Sequence, residues 1–258
     1  MKHNKRLFPN ISYFFKQKHN NILPEIFNSY ILNKSIKDDS YILGKKYRNE
    51  VLSDNTEIKI KDFGVGSQKL GKETRKIKNI AKVSGSKLNF GLFIQKLIKT
   101  FEIKSALEMG TSVGIATIFM SYASENIQID GIEACPETAN YLKSKIKERN
   151  IKNINIYNND FDSVFENQEL NNKTYDLIYI DGNHRGEYLL KYFKILKEKH
   201  CSTPCIIIVD DINWSNDMFE AWRELTKTKN ATFLNFYRFG VIFLGYNLKH
   251  GVFNVKFV

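Results

Sequence analysis

The sequence predicts an α/β protein in which helices cover both faces of a mostly parallel seven-stranded sheet ending in an antiparallel hairpin. A helical, basic N-terminal extension precedes it. Three observations carry this reading. Strand-like and helix-like segments alternate from residue 105 to residue 227, which implies parallel strands with helical crossovers. Two last strand-like runs are joined by a short turn at Arg238–Gly240. Charge is also unevenly spread: residues 1–100 hold 21 basic and 8 acidic side chains, and residues 101–258 hold 18 and 20. The net +11 of the 258-residue chain therefore comes from its first hundred residues.

Residues 1–57 are polar and Asn/Lys-rich, broken by aromatic clusters such as Tyr13–Phe15 and Phe27–Ile31, and read as a few short helices. Period-2 alternation begins at residue 59 and gives way to the glycine-containing stretch Asp62–Ser67, DFGVGS. From Lys72 a strongly basic helix is expected, presenting Lys72, Arg75, Lys76, Lys78 and Lys82. Such a face either grips phosphates or is simply solvated. Helical spacing then places a helix over 90–101. The expected strands are 105–109, 127–132, 153–157, 175–180 and 204–209. Helices lie between them at 113–123, 136–149, 162–168 and 186–198, and a further helix spans 216–227. The hairpin strands are 232–237 and 241–245, and the alternating tail 252–258 is a candidate extra strand. Two units follow: an extension over 1–88, read as an acceptor-side cap or lid, and a sheet domain over 89–258.

Composition excludes several classes. A 42% apolar content with 13% aromatics fills a full core rather than a disordered chain. Apolar runs such as Cys205–Val209 and Val241–Gly245 fall far short of the ~20 residues of a membrane span. Pro9, Asn10 and Lys16 interrupt any signal-like start. Cys135, Cys201 and Cys205 have no metal spacing and read as reduced thiols of a cytoplasmic protein. The chain has 32 Lys against 7 Arg, with 27 Asn, 30 Ile and 8 Ala. That usage resembles A+T-rich coding, which raises lysine without selecting an anionic partner.

Ligands of such sheets bind beyond the C-terminal ends of the strands, and chemistry-bearing residues gather there. The first strand ends in Glu108, Gly110, Thr111, Ser112 and Gly114, a tight turn ahead of free helix N–H groups. The second ends at Glu133, which either accepts ribose hydroxyls or serves the next helix dipole. The third ends at Asp160, the fourth at Asp181 and His184, the fifth at Asp210, Asp211 and Trp214. Each aspartate alone reads equally as a helix cap. Carboxylates at four successive strand tips ring one crevice.

These residues resemble the class I S-adenosylmethionine-dependent methyltransferases, closest to the metal-dependent O-methyltransferases of the catechol and caffeoyl-CoA type. The family motif E-x-G-T-x-x-G is matched by Glu108, Gly110, Thr111 and Gly114. Its adenosine acids are matched by Glu133 and Asp160, and its metal ligands by Asp181, Asp210 and Asp211. The stretches DFGVGS, DGNH and DDI-x-WS are also similar to a Bacteroidetes-type group of bacterial methyltransferase-like proteins. The resemblance implies a Rossmann-like fold and S-adenosyl-L-methionine held by Glu108, Gly110, Thr111, Ser112, Gly114, Glu133, Asp160 and Asp181. It further implies Mg²⁺ held by Asp181, Asp210 and Asp211. There are departures. His184 stands where the family has a lysine base, which makes His184 and Asp181 the expected catalytic pair. Residues 200–204 replace the usual Pro-Gly-Gly turn. The expected activity is O-methylation of a small hydroxylated acceptor, Trp214 lining either its pocket or the core. RNA on the basic extension, and a non-catalytic scaffold, are the alternatives. A second copy of the chain is a compatible partner, and a membrane is not.

Overall fold

The structure, a computed structural model, describes residues 30–35, 37–60 and 74–255. Residues 1–29, the DFGVGS stretch, Lys72 and the last three residues lie outside these. Helix α1 (Asp39–Ser53) starts at Asp38, whose carboxylate accepts the Tyr41 N–H at 3.1 Å. Strands β1 (Glu57–Lys59) and β2 (Thr74–Lys76) pair antiparallel, and helices α2 (Ile77–Ser84) and α3 (Leu88–Thr100) follow. The alternating unit comprises β3 (Ser105–Met109), α4 (Ile115–Ala123), β4 (Gln128–Ile132), α5 (Pro136–Glu148), β5 (Ile154–Tyr157), α6 (Phe161–Glu166), β6 (Tyr175–Ile180), α7 (Gly186–Lys199), β7 (Cys201–Val209) and α8 (Asn216–Leu225). It closes with β8 (Ala231–Asn235), β9 (Gly240–Leu244) and β10 (Gly251–Asn254).

The main sheet has eight strands in the order β10-β8-β9-β7-β6-β3-β4-β5. Only β9 runs against its neighbours, pairing antiparallel with both β7 and β8. The expected seven strands and hairpin are present, and the alternating tail adds β10, parallel to β8. Strands β3, β6 and the second half of β7 are buried on both faces, as a sheet covered on both sides requires.

The basic helix expected from Lys72 is not found in that form. Thr74–Lys76 is extended because it pairs with Glu57–Lys59, and the helix begins only at Ile77. Arg75 and Lys76 therefore sit on a strand, Lys78 and Lys82 on a helix, and Lys76 is 3.8 Å from Glu57. One continuous cationic helix face is not what these residues make.

The described part of the extension is not set apart from the sheet. Ile31, Tyr41, Tyr47, Val51, Ile77 and Ala81 share one buried cluster with α3, α4 and the sheet. Helix α4 is apolar nearly all round because it is wrapped by sheet, α1 and α3. At Gly44 a Cβ would collide with the Phe119 ring, so glycine is what lets α1 lie directly on α4. Gln95 of α3 ties the layers together, donating to the carbonyls of Ser40 at 3.0 Å and Phe119 at 2.9 Å.

Candidate active site at the strand tips

Continued backbone pairing brings the tips of the parallel strands level. Gly110 N–H donates to Ile132 O, Asp181 N–H to Met109 O and Asp210 N–H to Ile180 O, each at 2.9 Å. Gly110 has φ of +97°, and a Cβ there would strike the Asp181 carbonyl oxygen. Only glycine permits this turn and this approach of β3 to β6. Gly114 is the N-cap of α4. Between these elements lies a small cleft lined by Glu108, Gly110–Val113, Asp181 and, from the extension, Ser84–Ser86.

Two partners of the glycine turn come from the extension. The buried Tyr47 hydroxyl donates to Val113 O at 2.6 Å, and the Ser84 and Ser112 hydroxyl oxygens lie 3.0 Å apart. Ser112 itself has φ of +48°, held by its N–H donating to Glu133 Oε2 at 2.8 Å. The other Glu133 oxygen accepts the Cys135 N–H at 2.9 Å. Desolvation pushes the Glu133 carboxyl above its ordinary range, against the pull of those two N–H groups. Glu108 is 1% exposed, and burial lifts its carboxyl to about 8 although the Thr117 hydroxyl donates to it at 2.5 Å. The Thr111 hydroxyl oxygen is buried in the cleft wall with no hydrogen-bond partner, an unsatisfied group that a ligand would meet. Asp160 caps α6, accepting Ser163 N–H at 2.9 Å and Ser163 Oγ–H at 2.7 Å.

Next to this cleft the structure brings together the three aspartates expected to bind metal, with a partner not foreseen. Arg238, in the turn between β8 and β9, forks onto Asp210: Nε is 3.2 Å from Oδ1 and Nη2 is 3.0 Å from Oδ2. Its Nε also lies 3.3 Å from Asp211 Oδ1. The Tyr179 hydroxyl donates to Asp181 Oδ2 at 2.9 Å and lies 3.3 Å from Asp210 Oδ2. Desolvation, then the Asp210 and Asp211 charges, push the Asp181 carboxyl well above the usual range. Among the described residues, no group of three His, Cys, Asp or Glu side chains is arranged to hold a metal ion. The donor set does not fit a divalent ion here, because both Asp210 oxygens and one of Asp211 already face a guanidinium.

His184 lies at the tip of β6 with its ring 5.6 Å from Trp214 across the crevice. Its neighbour Asn183 has φ of +48° and a buried side-chain oxygen without a partner. Sequence reasoning did not single out Tyr47, Ser84, Ser86, Tyr179, Asn183 or Arg238. A turn arginine following two strand-tip aspartates was the one available signal.

Residues 107–212 match the family model described as a methyltransferase domain. Over those residues the chain is similar to a methyltransferase domain. Its fold is that of class I S-adenosylmethionine-dependent methyltransferases, including O-methyltransferases. A Staphylococcus aureus structure assigned as a caffeoyl-CoA O-methyltransferase superposes with TM-score 0.56 at 22% identity, covering 66% of this chain and 90% of that one. A Bacillus cereus O-methyltransferase solved with SAH gives TM-score 0.56 at 16% identity, covering 84% and 93%. The O-methyltransferase TomG of Streptomyces achromogenes, solved with SAM, gives 0.54 at 12%, covering 63% and 82%. In sequence, a Plasmodium falciparum protein assigned as vacuolar protein sorting-associated protein 60 is 29% identical over 170 residues, 64% of this chain and 67% of that protein. The matched span runs from within β3 to just beyond β7, the strands whose tips build the crevice. No described helix is long and apolar enough to cross a membrane.

Proposed function

We propose that the chain transfers a methyl group from S-adenosylmethionine to a hydroxyl of a small acceptor. The observation that carries this is the cleft at the β3 tip. A glycine turn held by Glu133, two carboxyls and an unpartnered Thr111 hydroxyl meet there, within the span similar to a methyltransferase domain. Glu108, Gly110, Thr111, Ser112, Gly114, Glu133, Asp160 and Asp181 would hold the cofactor. Bound S-adenosylmethionine supplies an electrophilic methyl group on a sulfonium.

The chain's own residues then have three tasks. The strand tips must fix the acceptor oxygen in line, since alignment is the larger part of such catalysis. Trp214 offers an apolar wall beside His184. His184, whose ring stands beside Trp214 beyond the β6 tip, takes the hydroxyl proton as general base. Asp210 and Asp211 outweigh Arg238 in formal charge, so like-charge repulsion favours an uncharged or cationic acceptor over a polyanion such as RNA.

Calorimetry with S-adenosylhomocysteine, followed by turnover of labelled S-adenosylmethionine against a panel of phenols, diols and sugars, tests the proposal. We expect cofactor-product binding and a labelled methyl ether. Absence of binding at millimolar ligand would refute it.

A further inference from the structure

The carboxylate cluster beside the cleft has a resident cation of its own. Asp210 is buried, its side chain 5% exposed, and Arg238 engages both of its oxygens. A two-pronged guanidinium–carboxylate pair of this kind fixes geometry as well as charge. Arg238 is also anchored by its backbone. The Ile212 N–H donates to Arg238 O at 3.0 Å, and the Asn213 side-chain amide donates to Tyr237 O at 2.8 Å. The turn is pinned below by Phe236 and Phe239, whose rings stack at 4.4 Å, and Phe239 packs on Phe90 and Phe93. The loop bearing Asp210 and Asp211 and the turn bearing Arg238 thus form one tied unit. Asp211 itself stands in the left-handed region at φ +50°.

We propose that Arg238 is the built-in cation of this site, doing between Asp210 and Asp211 what a divalent ion would otherwise do, and that the chain works without metal. The guanidinium neutralises part of the strand-tip charge and holds the two aspartates in place. One consequence concerns the acceptor. An ion bridging enzyme and substrate favours two adjacent acceptor oxygens, whereas this site demands one, so monohydroxyl compounds belong among its acceptors. The catalytic meaning of the proposal rests on the methyltransferase reading, but its test does not.

The test is uptake of Mn²⁺ by the full chain, followed through loss of the free-ion paramagnetic resonance signal, with no methyl donor or acceptor present. Wild type should leave the signal unchanged up to millimolar Mn²⁺. Arg238→Ala frees Asp210 and Asp211 beside Asp181 and should take up about one equivalent, with a dissociation constant on the order of 10⁻⁴ M. Arg238→Lys, which keeps a cation, should behave as wild type. One equivalent bound by wild type overturns the proposal, as does failure of a folded Arg238→Ala chain to bind. Should that variant not fold, Arg238→Gln takes its place and the wild-type titration still decides. Turnover insensitive to chelator is the companion expectation. Loss of S-adenosylhomocysteine binding would count against the methyltransferase reading alone.

Discussion

Replacing Glu133 with alanine separates its two roles, cofactor acceptor and helix-dipole partner. In the structure its two oxygens accept N–H groups from Ser112 and Cys135 at 2.8 and 2.9 Å. Hydrogen bonds to a charged group contribute a net of about 1.5–3 kcal/mol each where they are buried. The side chain is half-buried, so water recovers part of that, and a net loss of about 1–2 kcal/mol is expected. For a chain of this size that lowers the melting temperature by roughly 2–8 °C. The larger effect falls on ligand binding. Ser112 sits at φ +48°, so losing its anchor loosens the glycine turn at the same time as an acceptor for the ligand is removed. Affinity for S-adenosylhomocysteine should fall 10- to 100-fold, about 1.4–2.7 kcal/mol. Isothermal calorimetry and thermal unfolding on the same preparation measure both. Glu133→Gln keeps one acceptor oxygen and should lie between. An affinity within twofold of wild type, alongside a lowered melting temperature, would leave Glu133 a purely structural residue and refute the reasoning.

Three further outcomes are expected. Burial lifts the Glu108 carboxyl to about 8 from 4.5 in the unfolded chain. The folded state therefore holds the proton more tightly, and that contribution is fully present below about 4.5 and lost as pH rises through about 8. Glu108→Gln should flatten this slope, worth on the order of 3–5 kcal/mol across the window; denaturant melts at pH 5 and pH 9 that fall in parallel for both proteins would contradict it. Tyr47→Phe strands the Val113 carbonyl and should cost about 1–2 kcal/mol, with weaker S-adenosylhomocysteine binding if the extension steadies the glycine turn; calorimetry of a folded variant showing undiminished affinity would deny that link. His184→Ala should lower kcat about 10²- to 10⁴-fold with little change in cofactor affinity. A variant retaining full kcat would remove His184 as the base.

The sheet domain was readable because apolar runs and strand-tip polar residues recur at short intervals. Strand β3 has the expected bounds, 105–109, and β6 the expected 175–180. What sequence could not supply depended on distant contacts. Thr74–Lys76 carries helix-favouring lysine and arginine, yet Glu57–Lys59 recruits it as a strand. The first helix reads poorly because its charged residues blur the apolar stripe, and its fifteen residues are ordered by burial against Phe119 rather than by their own pattern. The aspartates were found by their positions after strands, but Arg238 stands 28 residues beyond Asp210 and meets it only once β9 inserts between β7 and β8. Metal ligation is what the resemblance implies, while the ion pair follows from topology.

The basic excess of the first hundred residues takes a different meaning from these contacts. Lys99 pairs with Asp38 at 2.6 Å, and Lys96 turns its ammonium to the carbonyls of Tyr30 and Asn33. The acidic Glu50 of α1 meets Arg149 and Lys145 of the sheet domain. Charge in the described extension is therefore spent in part on docking it. The docked face bears on the glycine turn, through Tyr47 to Val113 and Ser84 to Ser112, and Ser84–Ser86 enter the cleft wall itself. An extension that merely carried a polyanion would keep its basic groups outward and leave the turn alone. One that completes the cofactor side must instead be rigid, apolar inward and hydrogen-bonded to the loop it supports, and α1 and α2 have that construction. Deleting residues up to Ser53 should consequently expose α4 and unfold the domain, not release an active core, and a truncated chain that still binds S-adenosylhomocysteine would overturn this view.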